Sequence, residues 1–209
     1  QLFAQVTNPP LDGIREEIVT DISLALGQDR NIFDISSKQC RKLRIQNPVI
    51  SNKDLEKIRA ISIDHFHAET FSILYPKAKG LNGLEDALDA LIVQVTKAVE
   101  RGTNIIILSD RGVNKDLAPI PSLLACSYVN HQMNRLRKRS YFDIIIESAE
   151  PREPHHFATL FGYGASAINP YMVNEIIRVQ VREGFITGID ETKAVHNFNK
   201  AIGNGIVKI

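Results

Sequence analysis

Ile14, Ile18, Ile22 and Leu26 recur every fourth residue. That repeat keeps apolar side chains on one face of a helix, so it predicts an amphipathic helix over 11–27 that closes at Gly27. Residues 28–50, with Pro48 and few periodic positions, read as loop. SNKDLEKIRA (51–60) opens on a capping serine and reads as a short helix. ISID (61–64) is a β-branched run and reads as a strand. A longer helical period follows over about 84–100 and stops at Gly102. NIIIL (104–108) and FDIIIE (142–147) are solid apolar runs of the kind buried on both faces of a sheet. Between them, 120–139 reads as a helix with a basic end. After them come a short helix in HHFATLFGYG, a strand in ASAIN, a helix in YMVNEIIRVQVREG and a last helix in ETKAVHNFNKAIGNG.

Strand and helix therefore alternate, which predicts an α/β fold: a parallel sheet of about four or more strands flanked by helices. Four strands are half of an eight-stranded β/α barrel, or a small open sheet. Residues 1–50 read as a lead-in segment with one helix that packs on the core, and 51–209 as the α/β body.

Composition narrows the function classes. The chain has 209 residues, 44% hydrophobic and 23% charged, with a net charge of +1, as an ordinary globular chain does. The near-zero charge gives no reason to invoke nucleic acid. The basic run Arg135, Arg137, Lys138 and Arg139 lacks interleaved aromatics and reads as a solvated helix end. No apolar run approaches the roughly 18 residues of a membrane span, and no export leader is visible. Cys40 and Cys126 form no spaced pair, which fits a reducing compartment. The chain opens without methionine on QLFAQVTNPP and closes on GNGIVKI, so both ends read as cut from a longer polypeptide.

In parallel α/β folds, ligands sit at the carboxyl ends of strands. On the predicted strands those ends carry Asp64, His65 and His67, then Ser109, Asp110 and Arg111, then Glu147 with Glu150, Arg152 and Glu153, then Asn169 and Pro170. Convergent acids and bases there describe either an active site or a rim held by ion pairs. His65 and His67 fall on one side of an extended chain, because side chains alternate. Such a pair can begin a divalent-metal site, but needs further ligands such as His155, His156 or Asp110; otherwise both are solvent-facing imidazoles. GYGASAIN offers glycine-exposed N–H groups for phosphate, or simply a tight helix-to-strand turn. Asn169-Pro170 reads as the cap and start of the next helix. A nucleophile is missing. Cys126 lies in apolar SLLACSYV, Cys40 has no base, and Ser109 lacks a Gly-x-Ser-x-Gly elbow.

Three long stretches make the reading more specific: FAQVTNPPLDGIREEIV, ILSDRGVNKDLAPIPSLLACSYVNH and ESAEPREPHHFATLFGYGASAINPY. In this order and spacing the chain, from Phe3 to Ile209, resembles the central domain of the glutamate synthase large subunit. The resemblance implies a parent that makes two glutamates from glutamine and 2-oxoglutarate. It implies an upstream amidotransferase domain with an N-terminal cysteine and a downstream FMN-binding domain with an iron–sulfur cluster. The central domain between these two partners would be similar to a barrel fragment, with no cofactor and no catalytic residue of its own, and would help wall an ammonia tunnel. By resemblance Thr7 and Asn8 line that tunnel, offering neutral hydrogen-bonding groups beside the rigid Pro9 and Pro10; alternatively they cap the helix near Asp12. Asp110, Arg111, Glu147, Glu150, Arg152, His155 and His156 lie in the family's strongest motifs and are expected to form a rim network. The parent would be cytoplasmic, or stromal if plant-type. Two stretches depart from the family pattern. DHFHAET carries a His-x-His of its own, and NHQMNRLRKRS is more basic. The competing class is a stand-alone metal-dependent hydrolase built on His65 and His67.

Overall fold

The computed structural model describes residues 20–63 and 65–209. A four-stranded parallel sheet forms the centre. Its strands are β3 (Ala68–Ser72), β5 (Ile105–Ser109), β7 (Asp143–Glu147) and β8 (Ala167–Asn169), side by side in that order. The register runs Ala68 against Ile105, Ile105 against Asp143, and Ile145 against Ala167. Every residue of β5 is buried, as are the last four of β7, which is why their sequences are apolar without alternation.

The crossovers are α2 (Gly80–Glu100), α3 (Ser122–Arg135) and α4 (Pro154–Gly162). All three lie on one face. Leu91 and Val95 of α2, Cys126 and Val129 of α3, and Phe157 and Leu160 of α4 share a core with Phe71, Ile106, Leu108, Ile144, Ile146 and Ile168. Alternate strand residues face the other way. Ile105, Ile107, Ile145 and Ala167 pack with Leu55 and Ile58 of α1 (Asn52–Arg59) and with Leu26 and Ile50. A strand order that advances without reversal, with every crossover helix on one side, is the arrangement of a β/α barrel stopped after four strands. The sheet stays open, and α1 fills what would be the barrel's interior. Two more helices follow β8, α5 (Tyr171–Arg182) and α6 (Glu191–Lys208), and Ile202 of α6 joins the core on the crossover-helix face.

The lead-in differs from its sequence reading. The helix predicted over 11–27 is replaced, within the described residues, by β1 (Leu24–Leu26), which pairs antiparallel with β2 (Leu43–Ile45). A strand also needs apolar Leu24 and Leu26, and pairing with 43–45 overrides the four-residue repeat. Gly27 does not end a helix. It turns the chain at φ +127° and donates its N–H to Asp143 Oδ2 at 2.6 Å. The stretch 28–50 is not all loop either. Ile168 donates to Pro48 O at 2.8 Å and Ile50 donates to Ile168 O at 2.9 Å, so 48–50 runs as a short extension along β8. ISID is not the first sheet strand. It holds one bridge, Ile63 to Phe66, and the strand follows it at 68–72. Here the loop precedes β3 because β3 alone supplies the sheet register with β5. A further pair the pattern did not suggest, β4 (Leu74–Pro76) with β6 (Leu117–Pro119), brackets the loop after β5.

Candidate functional site

Three of the four sheet strands end on the residues named from sequence, and Glu147 is the hub of that end. It is the last residue of β7 and fully buried. Ser109, last in β5, donates its hydroxyl to Glu147 Oε2 at 2.5 Å. The Arg111 Nε donates to Oε1, and Arg59 donates from the end of α1 to Oε2. Burial pushes the Glu147 carboxyl up, but the hydrogen bonds from Ser109, Arg111 and Arg59 and the Arg59 charge outweigh it, so its pKa is held below the ordinary value. A carboxylate in this state is ionised, with donors on both oxygens. It lacks the raised pKa of a general acid.

Asp110 faces elsewhere. It accepts from Ser148 Oγ at 2.6 Å and Ala149 N at 3.0 Å, which ties the β7–α4 turn to β5. Tyr171, the first residue of α5, has its phenol pushed up to about 12 by burial and by the neighbouring Asp110 carboxylate. The Arg111 guanidinium lies 4.0 Å from its ring centroid. Glu150 accepts from Ser122 N at 2.8 Å and from its hydroxyl, placing a negative charge at the positive end of α3. His156 is the third residue of α4. Its Nδ1 accepts from Arg152 N at 3.2 Å and Glu153 N at 3.4 Å, and the Glu153 side chain returns a bond to the helix. That reciprocal cap fixes the proton of His156 on Nε2. Among the described residues the Arg152 and His155 side chains enter no ion pair. Five of the seven residues thus divide into a Glu147–Arg111 pair, an Asp110 brace, a Glu150 cap and a His156 cap, and the side chains of Arg152 and His155 stand outside them.

Arg59 and Tyr171 complete this rim and were not legible from spacing. Arg59 stands 88 positions from Glu147, and only the tertiary placement of α1 brings the two together. Asn169 does not cap α5. Buried at the end of β8, it donates to Ile50 O at 2.9 Å and Asn52 Oδ1 at 3.0 Å. Pro170 holds the cap position of α5. Arg139 is not a solvated helix end, because it donates to Asn130 Oδ1, Phe142 O and Gly164 O.

His65 and His67 stand at the other end of the sheet, just before β3. Asn104 Nδ2 donates to His65 O and His67 N donates to Asn104 Oδ1, so their backbones anchor the entry to the strand. They are therefore far from the strand-end carboxylates, which corrects their placement on the rim. Asp64 lies outside the described residues. Among the described residues no group of three or more His, Cys, Asp and Glu side chains stands close enough to hold a metal. The glycine pair has different roles. Gly162 lies in α4. Gly164 turns at φ +111°, and a Cβ there would fall 2.5 Å from Asn130 Oδ1. This is a packing turn against the Asn130–Arg139 bond. Burial pushes the Cys126 thiol up to about 12, which leaves it an inert core group. The cavity between β2, α1 and α6, of about 510 Å³, is walled by aliphatic side chains such as Leu43, Ile45 and Ile58 and, in equal number, by polar ones such as Asp54, Lys57 and His196, and none of the strand-end residues lines it.

Fold and rim together define a half-barrel α/β module with its concave face plugged by a helix and its strand-end rim tied by internal ion pairs. The sequence pattern described as "Glutamate synthase central domain" matches residues 1–209, and the chain belongs to that family. It is 38% identical over 209 residues to glutamate synthase [NADPH] large chain of Bacillus subtilis, covering all of this chain and 13% of that relative. It is 36% identical over 214 residues to glutamate synthase [NADH] of Schizosaccharomyces pombe, covering 10% of it. Against ferredoxin-dependent glutamate synthase 2 of Synechocystis the identity is 33% over 222 residues, covering 14%. The chain thus spans 10–14% of the length of these relatives. Thr7 and Asn8 lie outside the described residues. Among the described residues no helix is long and apolar enough to cross a membrane.

Proposed function

We propose that this segment is a scaffold without a catalytic centre of its own. It joins a glutamine amidotransferase region to an FMN-binding, iron–sulfur synthase region of one longer polypeptide, and helps wall the passage that carries ammonia between them. Residues 1–50 serve as a lead-in and 51–209 as the α/β body. The observation that carries this reading is the state of the strand-end rim. Where an α/β enzyme keeps free acids and bases, Glu147 is occupied by Arg59, Arg111 and Ser109, and α1 fills the concave face. Groups engaged in this way brace a wall. A wall with few free titrating groups suits ammonia, which is lost to protonation in bulk water.

Thr7 and Asn8 line the passage in this reading. The relatives bear names with NADH, NADPH or ferredoxin, so the electron donor belongs to the parent. The parent works in the cytoplasm, or in the plastid stroma for an enzyme like the spinach relative named chloroplastic.

The test is an ammonia balance on the full-length polypeptide carrying Thr7→Val and Asn8→Leu. Glutamine consumed, glutamate formed and free ammonia are measured together. The reading expects ammonia to appear in solution and glutamate per glutamine to fall, with glutamine hydrolysis retained. An unchanged balance in both variants removes these residues from the passage.

A further inference from the structure

We infer that the loop 31–35 is a preformed knob that inserts into an apolar recess of another region of the same longer polypeptide. Within four positions it presents Ile32, Phe33 and Ile35 at 84%, 86% and 101% exposure. Three large apolar side chains so fully hydrated are unusual on a surface that faces only water. The loop is also built to hold that display. Asn31 Oδ1 accepts from Phe33 N at 3.0 Å, and Asn31 O accepts from Asp34 N at 2.9 Å. The Gln39 amide donates to Asn31 O at 2.6 Å and to Asp34 O at 3.0 Å. Polar groups thus bind inward while the apolar ones point out, so little order remains to be imposed when a partner docks. Asp29 N, bonded to Ser140 O at 2.8 Å, fastens the knob to the end of the sheet where β7 begins, opposite the Glu147 rim.

The occupant follows from two observations. Relatives continue far beyond this segment, which spans only 10–14% of them. A second apolar stripe, Met172, Ile176 and Val179, each 42–47% exposed, lies on a different element, α5. A twofold pairing of two copies buries one self-complementary patch. The two patches lie on separate elements, and the long continuation of the relatives supplies chain enough to cover both. The inference rests on the reading of this segment as a linking scaffold.

The test places the photo-cross-linker p-benzoylphenylalanine at position 33, and separately at position 35, in the full-length polypeptide. Both sites are exposed, so the fold tolerates the probe. After irradiation, adducts are mapped by mass spectrometry on an equal mixture of isotope-labelled and unlabelled protein. The expected adduct joins position 33 or 35 to a residue of the same molecule outside these 209. Mixed-isotope adducts would assign the knob to a second copy and overturn the proposal. Adducts within the 209 residues, or none at either site, overturn it as well. None of these outcomes alters the ammonia balance of the Thr7 and Asn8 variants, so the two readings fail separately.

Discussion

Glu147 concentrates the energetics of the rim in one residue. A buried carboxylate that loses its partners is left with an uncompensated charge, which costs about 3–5 kcal/mol. Arg59→Met leaves Arg111 and Ser109 in place, so the expected loss is smaller, about 1–3 kcal/mol, read as a lower urea midpoint. The pH dependence has a definite sign. Because the folded pKa of Glu147 is lowered, its stabilisation is fully present above the unfolded value of about 4.3. It is lost as pH falls through the lower folded value. Thermal midpoints measured from pH 6 downward should therefore drop less steeply in Glu147→Gln, which starts lower, than in the parent protein. Equal slopes would show that the carboxylate is not held by the three donors. Gly164 makes a second residue-scale prediction. Alanine there combines a left-handed φ with a clash against Asn130, and is expected to cost about 2 kcal/mol or more. Alanine at Gly162, in open space within a helix, should be neutral or stabilise by up to about 1 kcal/mol.

At the scale of elements, α1 decides whether the half-barrel has an interior. Its sequence explains its form. Ser51 accepts from Asp54 N at 3.2 Å, Asp54 sits in the first turn, and Lys57 and Arg59 sit in the last. Leu55 and Ile58, three apart, are buried on the concave face of the sheet. Ser51→Ala should cost about 1 kcal/mol as a lost cap. Leu55→Ala should cost about 2–5 kcal/mol, since it opens a cavity under Ile105 and Ile107. If denaturation curves of Leu55→Ala matched those of Ser51→Ala, α1 would be a surface helix and not a plug. Arg59 is carried on the same helix, so damage to the plug should also loosen the rim.

For the whole molecule, the two cysteines report on cooperativity. Cys40 is exposed and Cys126 is buried with its thiol pushed up to about 12. A thiol reagent followed by mass spectrometry should modify Cys40 at once, and Cys126 only as the α2–α3–α4 face opens. Labelling of Cys126 should accordingly accelerate in urea in step with loss of helix signal. Early modification of both would mean that this face opens locally. The asymmetry of the two faces suits a wall. One is sealed by α2, α3, α4 and α6, the other by α1 and the β1–β2 pair, and the knob at 31–35 and the α5 stripe are left for neighbours.

The sequence by itself determined the class of the fold and most of its parts. The apolar runs at 104–108 and 142–147 read as central strands, and Ser51, Gly102 and Gly164 mark boundaries by local chemistry. These signals are short-range, so they survive without the rest of the chain. Its three long motifs also carried the family. Only the tertiary structure decided which strand opens the sheet, because 61–64 and 68–72 are both β-prone and only pairing with β5 separates them. That choice moved His65 and His67 to the far end of the sheet. Pairing with 43–45 likewise put Leu26 in a strand and not a helix. Arg59 and Tyr171 entered the rim through tertiary placement too. A partner 88 positions away leaves no mark on local spacing, and it becomes a neighbour only when α1 packs into the concave face.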